Sequence, residues 1–225
     1  MFDNNIKAVV FDIGATLITG PPVAPNKIIS SMIDGLSAQE TSSIIMTTPI
    51  PNANAVCKLV EKKVGCLTDS VTTQIHKLYN EQENAPVAID GAVECVLTLK
   101  NKGFKIGLLS DIWTPYYNGV CKAIPNVIEI ADAIVLSYET GKRKPEKENF
   151  YKILNTLKVK PEEVVMVGDT YTHDILPAIE IGMKTIWILA RPDKEAESII
   201  DILNKNKPAP DITLMNIKEL QYCIL

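Results

Sequence analysis

The chain is short of several residue types, and each shortage closes off a class of chemistry. Only His76 and His173 supply imidazoles. A three-histidine zinc site is therefore impossible, and a histidine-based triad has few members to draw on. The cysteines are Cys57, Cys66, Cys95, Cys121 and Cys223. Their odd number and the lack of any Cys-x-x-Cys pair favour buried free thiols in a reducing cytoplasm over a disulfide framework. No apolar run approaches the roughly 20 residues that span a bilayer, so no membrane association is expected. The start, Met1-Phe2-Asp3-Asn4-Asn5, lacks the positive region and apolar core of a secretory leader. Positive charge is not in excess: 23 Lys and Arg face 27 Asp and Glu, for a net charge of −4. A nucleic-acid-binding surface is not expected on that balance. The chain shows neither an internal repeat nor a low-complexity tract.

What is present is a chain of 225 residues, 46% of them apolar, enough for one large domain or a core domain plus a small one. Ala8 to Phe11 are apolar without a break and read as a short buried strand, the centre of a parallel sheet. Pro21, Pro22 and Pro25 then interrupt regular structure. From about residue 26 to 85 the pattern is helical and strand-poor. Ile28, Ile29, Met32, Ile33 and Leu36 recur at helical spacing, as do Val56, Leu59, Val60 and Val64, and then Val71, Ile75 and Leu78. Gly65 and Thr68-Asp69 suggest a helix stop and an N-cap. Glu81-Gln82-Glu83-Asn84 before Pro86 reads as a polar return linker. Beyond Ile89, strands and helices alternate. Strands are predicted at 105–110, 133–137, 164–169 and 184–189, with a short edge strand at 211–214. Helices are predicted at 146–157, 175–181 and 195–204. Such alternation means a parallel sheet covered on both faces.

Ligands in open α/β sheets bind beyond the carboxyl ends of the strands. Asp12 follows the first strand there, Ser110 closes the second with Asp111 behind it, and Gly168-Asp169 ends the fourth, with Asp174 close by. Lys144 lies in the loop Gly141-Lys142-Arg143-Lys144-Pro145 that leaves the third strand. Each residue alone has a plain structural explanation: Asp12 as a turn or cap, Lys144 as a solvated loop charge. Together they place a carboxylate, a hydroxyl, a lysine and an acid pair on one sheet edge.

This ordered set resembles the haloacid dehalogenase superfamily over the whole chain. The first motif reads Asp12-Ile13-Gly14-Ala15-Thr16-Leu17, the second falls on Ser110 and the third on Lys144-Pro145. The fourth is Gly168-Asp169-Thr170-Tyr171-Thr172-His173-Asp174. The resemblance implies a three-layer Rossmann-like core, residues 1–17 and 89–225, with an α-helical cap inserted at 18–88. It implies that the Asp12 strand is central, flanked by the second and fourth strands. It further implies catalysis by Asp12, Ser110 and Lys144, and Mg²⁺ held by Asp12, the Gly14 carbonyl, Asp169 and Asp174. The expected partner is a small phosphorylated metabolite; the oligomeric state is open. Asp111 either hydrogen-bonds the site or caps the next segment. His173 is expected as an exposed loop residue. Trp113, Tyr116 and Tyr117 are expected to pack beneath the cap, and Lys142 and Arg143 to be solvated.

One position departs from the family. Its phosphatases carry a second Asp two residues after the nucleophile, and here that residue is Gly14, followed by Ala15 where Gly is usual. The missing group ordinarily protonates the leaving oxygen and then activates water, work worth roughly 10²–10⁴-fold in rate. The reading is a Mg²⁺-dependent small-molecule phosphatase acting through an aspartyl-phosphate. The alternatives are a phosphonatase-like or dehalogenase-like hydrolase, or a catalytically weak protein that binds a phosphorylated ligand. A phosphonatase needs a cap lysine, for which Lys27, Lys58, Lys62, Lys63 and Lys77 are available.

Overall fold

The computed structural model describes residues 5–223; the start at Met1–Asn4, expected to hold no leader, lies outside them. Strand β1 (Ala8–Phe11) opens the core and β2 (Ile18–Thr19) follows. Four helices come next: α1 (Pro25–Ser31), α2 (Ala38–Met46), α3 (Ala53–Val64) and α4 (Asp69–Asn84). The chain returns through β3 (Val87–Ala88), α5 (Ala92–Asn101), β4 (Lys105–Ser110), α6 (Thr114–Ala123), α7 (Pro125–Ile130) and β5 (Ala133–Leu136). It closes with α8 (Ser137–Thr140), α9 (Lys147–Leu157), β6 (Val164–Gly168), α10 (Leu176–Glu180), β7 (Lys184–Ile188), α11 (Ala196–Leu203) and β8 (Ile212–Leu214).

Six strands form one parallel sheet in the order β5-β4-β1-β6-β7-β8. β1 is therefore central and flanked by β4 and β6, as the resemblance implies. Its side chains alternate between two apolar layers: Val9 and Phe11 enter one, Ala8 and Val10 the other. A strand buried on both faces has no polar position to spare, which is why 8–11 reads as an unbroken apolar run. The fold is a three-layer, Rossmann-like α/β core.

β2 and β3 pair antiparallel, Ile18 opposite Ala88 and Thr19 opposite Val87. They form a two-stranded stalk through which the four helices leave the core and come back. Ile29, Ile45, Val56 and Ile75 of the insertion share one buried apolar cluster with Phe11 and Leu17 of the core.

Local chemistry corrects several expected boundaries. The predicted helix around 28–36 stops at Ser31, and Gly35 is left-handed at φ 78°. α2 was not foreseen from apolar spacing. It starts at a capping box, in which Ser37 Oγ accepts from the Glu40 N–H at 3.1 Å while the Glu40 carboxylate accepts from the Ser37 N–H at 3.0 Å. Such a cap contributes about 1 kcal/mol and is legible as Ser-x-x-Glu. The Gly65 stop and the Thr68 cap are present. Glu81–Asn84 is not a linker but the last turn of α4. Ser137 begins α8 instead of ending β5. The predicted 175–181 helix is α10 preceded by a π turn, Tyr171–Ile175. Only Cys57 and Cys95 of the free cysteines are buried; Cys66 is exposed. No helix among the described residues is long and apolar enough to cross a membrane.

Candidate active site

The sheet register brings the polar residues together. Phe11 lies level with Leu108 of β4 and Val167 of β6. Asp12 thus emerges between the ends of both neighbours, its N–H donating to the Val167 carbonyl at 2.9 Å. Ser110 ends β4 and is buried, and Asp169 follows the last residue of β6. The π turn then brings the chain back on itself. A Cβ at Gly168 would lie 2.4 Å from the Asp174 Cβ, so a bare backbone at 168 is what lets Asp174 sit against the strand. Carboxylate oxygens of Asp12, Asp169 and Asp174 lie within 4.8 Å of one another.

Lys144 Nζ is buried among them. It donates to Asp12 Oδ1 at 2.6 Å, to Asp174 Oδ1 at 2.5 Å and to the Leu109 carbonyl at 3.3 Å. An ammonium has three donors, and all three are used. Asp111 holds the loop that presents Lys144: its Oδ1 accepts from the Lys144 backbone N–H at 3.0 Å and its Oδ2 from Arg143 Nε at 3.4 Å. Asp111 therefore positions the loop and does not cap α6, which starts without a side-chain cap.

The electrostatics follow from three acids sharing a buried space. Burial pushes the Asp12 carboxyl well above the ordinary carboxylate range; Lys144 opposes the shift, while Asp174 and Asp169 add to it. Asp169 is raised by burial and by Asp174, against the pull of Arg191. Burial acts against the Lys144 ammonium, but Asp12, Asp174 and Asp111 together outweigh it and raise its pKa, keeping it charged. Negative charge is thus only partly neutralised by the protein itself. Lys144 occupies one oxygen each of Asp12 and Asp174, the Thr170 N–H takes the other oxygen of Asp174, and Arg191 pairs with Asp169 Oδ2. Asp12 Oδ2 has no hydrogen bond among the described residues. A hard divalent cation takes oxygen ligands of this kind, so the donor set fits one.

Asp12, Gly14, Ser110, Lys144, Asp169 and Asp174 all line one cavity of about 880 Å³ between the sheet edge and the helical insertion. Trp113 and Tyr116 wall it while remaining buried, and the Tyr116 hydroxyl donates to the Thr19 carbonyl of the stalk at 2.8 Å. Tyr117 is not in the wall; its ring packs on Tyr138 at 6.1 Å between centroids. His173, expected to be exposed, is half-buried and lines the cavity, its Nδ1 3.1 Å from Thr172 Oγ1. Lys142 is solvated and pairs with Glu146 at 2.7 Å. Arg143 is not a freely solvated charge: it is half-buried, faces the cavity and reaches the insertion, donating from Nη1 to Ser42 Oγ at 2.9 Å. Of the five lysines considered in the insertion, Lys27 lines the cavity.

Several cavity residues escaped sequence reasoning, Arg191 and Gln82 among them. Arg191 lies just beyond β7 on the edge where Asp12 and Asp169 were found, and the same edge argument extended to this strand would have found it. Gln82 lies in the stretch whose polarity suggests a linker, and it belongs to α4. Counted on from Ile75 and Leu78, position 82 continues the buried stripe of α4 at helical spacing.

Comparison with known proteins bears on the family and the fold. The chain matches the haloacid dehalogenase-like hydrolase family over residues 6–182. The glyceraldehyde 3-phosphate phosphatase of Methanocaldococcus jannaschii is 28% identical over 208 residues, 85% of this chain and 89% of that protein. The protein of the same name from Pyrococcus furiosus is 33% identical over 99 residues, 44% of this chain and 41% of that one. A Bacteroides thetaiotaomicron enzyme of the family, solved with magnesium and inorganic phosphate, shares the fold at TM-score 0.62 and 20% identity, covering 83% of this chain and 96% of that one. A family match over residues 6–182, most of the length, means that the chain belongs to the haloacid dehalogenase-like hydrolases.

Proposed function

We propose that the protein is a Mg²⁺-dependent phosphatase of small molecules, working through an aspartyl-phosphate on Asp12. The observation that carries this reading is the buried contact of Lys144 Nζ with both Asp12 and Asp174, beside a third carboxylate, at the floor of a ligand-sized cavity. Three clustered acids favour metal-assisted phosphoryl chemistry over metal-free dehalogenation.

Asp12 Oδ2, unengaged, is the attacking oxygen. It forms a bond to phosphorus as the bond from phosphorus to the leaving oxygen breaks. Water then cleaves the aspartyl-phosphate, releasing phosphate and returning the Asp12 carboxylate. Lys144 holds Asp12 by its other oxygen and balances charge on the phosphoryl group. The Ser110 hydroxyl donates to a phosphoryl oxygen. Asp12, Asp169, Asp174 and the Gly14 carbonyl would hold Mg²⁺, which when bound would offset the negative charge of the carboxylates and phosphoryl oxygens. Residues 18–88 act as a cap over the core of 1–17 and 89–225, and the substrate lies between them.

The test is a phosphatase screen with Mg²⁺ present. Turnover is expected to vanish with a chelator, return with Mg²⁺, and fall by at least ~10³-fold in Asp12→Asn, the scale of nucleophile removal. Undiminished turnover in Asp12→Asn would show that the nucleophile is another residue.

A further inference from the structure

The cavity contains donors that have no partner among the described residues. Gln82 enters from the last turn of α4 and is 3% exposed. Its Oε1 accepts from the indole N–H of Trp113 at 3.2 Å. An indole N–H only donates, so the Gln82 carbonyl must face Trp113 and its NH₂ must face the other way. Among the described residues no group accepts from that NH₂, yet it is not sealed in the interior, and Gln82 lines the cavity. A buried side chain thus holds out a donor in one fixed orientation. Arg143 adds a second. Its Nε and Nη1 are engaged by Asp111 and Ser42, and its Nη2 has no protein partner among the described residues.

The charges in the cavity point the same way. Five cationic side chains line it, Lys27, Arg143, Lys144, Arg191 and Lys194, against the four carboxylates of Asp12, Asp111, Asp169 and Asp174. Each of those acids already pairs with Lys144, Arg143 or Arg191. Lys27 and Lys194 pair with no acid among the described residues. The cavity therefore offers N–H donors and unbalanced positive charge. An ammonium or a bare alkyl group on the substrate would leave those donors unpaired.

We propose that Gln82 and Arg143 form a second anion subsite, which binds a carboxylate or second phosphoryl group on the part of the substrate that does not react. This rests on the phosphatase reading for the reacting end. The substrate class is a phosphate ester or anhydride carrying two acidic groups, with its distal group held by the cap through Gln82 and by the core through Arg143. Because Gln82 and Ser42 belong to the insertion and Arg143 to the Lys144 loop, a bound distal anion ties the cap to the loop that presents Lys144.

The experiment compares kcat/KM on phenyl phosphate and 4-carboxyphenyl phosphate, and on ethyl phosphate and carboxymethyl phosphate, with inorganic pyrophosphate as the phosphoryl arm. The wild type is expected to favour the doubly acidic member by ~10-fold or more, the scale of a hydrogen bond to a charged group. Gln82→Glu keeps an oxygen for Trp113 and replaces the NH₂ by a second oxygen; it is expected to cut that preference at least tenfold, mainly through KM. Arg143→Met is expected to lower it as well. A preference for carboxylates without one for pyrophosphate assigns the subsite to carboxylates, and the reverse to phosphoryl groups. Calorimetric binding of the same compounds to Asp12→Asn reads the subsite without turnover. If phenyl phosphate is not hydrolysed but the doubly acidic compounds bind more tightly and lose that advantage in Asp12→Asn/Gln82→Glu, the phosphatase reading falls and the subsite stands. Equal binding and turnover of both members of each pair, or a preference unmoved by Gln82→Glu, overturns the subsite.

Discussion

Replacing Gly14 by Asp places a carboxylate two residues after the proposed nucleophile, and the geometry allows the consequence to be worked out. A Cβ at position 14 meets nothing closer than Asp12 Oδ2, at 4.0 Å. Position 14 is also not in the left-handed region, so the substitution requires no backbone strain. Its cost is electrostatic. A fourth acid about 5 Å from Asp12, at an effective dielectric constant of about 20, is repelled by about 3 kcal/mol. That pushes the new group's pKa above the ordinary carboxylate range. A carboxyl protonated near neutrality is what departure of an alkoxide requires, so the repulsion assists the chemistry. Alkyl phosphates need the proton most, and their turnover is expected to rise ~10-fold or more, within the range of acid–base assistance. Aryl and acyl phosphates leave without it and should gain little. The wild type should turn over aryl phosphates faster than alkyl ones and accumulate the aspartyl-phosphate, because water attack also lacks its base. The assay is kcat and kcat/KM of both proteins on 4-nitrophenyl phosphate and ethyl phosphate, with Mg²⁺ affinity and thermal unfolding measured alongside. If the wild type handles both equally and the variant gains nothing on either, the proton comes from another residue, and the reasoning from Gly14 is refuted.

The remaining predictions concern charge and strain. The folded pKa of Asp12 is raised from 3.8 to about 7, so the metal-free folded state binds a proton more tightly than the unfolded chain does. Its stability contribution is fully present below pH 3.8 and is lost as pH rises through about 7. Added Mg²⁺ should reverse the trend, raising Tm more at pH 8 than at pH 5.5 and releasing protons on binding, which calorimetry in buffers of different ionisation enthalpy detects; a pH-independent Mg²⁺ effect would contradict the shift. Ala15 is a non-glycine residue at φ 57°, so Ala15→Gly should relieve left-handed strain and, after the entropy lost to glycine, stabilise the protein by about 0.5–1 kcal/mol in urea unfolding.

The core was legible because its signals are strong and local. A strand buried on both faces holds mostly apolar residues, so 8–11, 105–110, 164–168 and 184–188 stand out; Asp12 and Asp169 directly follow two of them, Ser110 closes a third, and Arg191 lies three residues beyond the fourth. The helical insertion was less legible, for identifiable reasons. Its apolar stripe at 28–36 is interrupted by a left-handed Gly35, so spacing overstated one helix. The following helix rests on a Ser37–Glu40 capping box more than on periodicity. The stalk strands are two residues long each, too short for any alternation to register.

The least legible part of the site is the part that discriminates between substrates, and the physics explains why. Residues such as Asp12 and Asp169 are held by the ends of strands, so their position along the chain carries their position in space. Gln82 and Arg143 acquire meaning only through partners 31 and 32 residues away, Trp113 and Asp111. A polar residue at the end of a helix and a basic residue in a loop look like solvent contacts in sequence. What sets Gln82 apart is that its carbonyl is spoken for by a group that can only donate, which fixes the direction of its other end. Reaction chemistry at this edge is thus written in strand register, while substrate choice is written in long-range hydrogen bonds between the cap and the core. Altering Gln82 should accordingly change which phosphate is accepted and leave the attacking atom the same, whereas altering Gly14 should change how the leaving group departs whichever phosphate is bound.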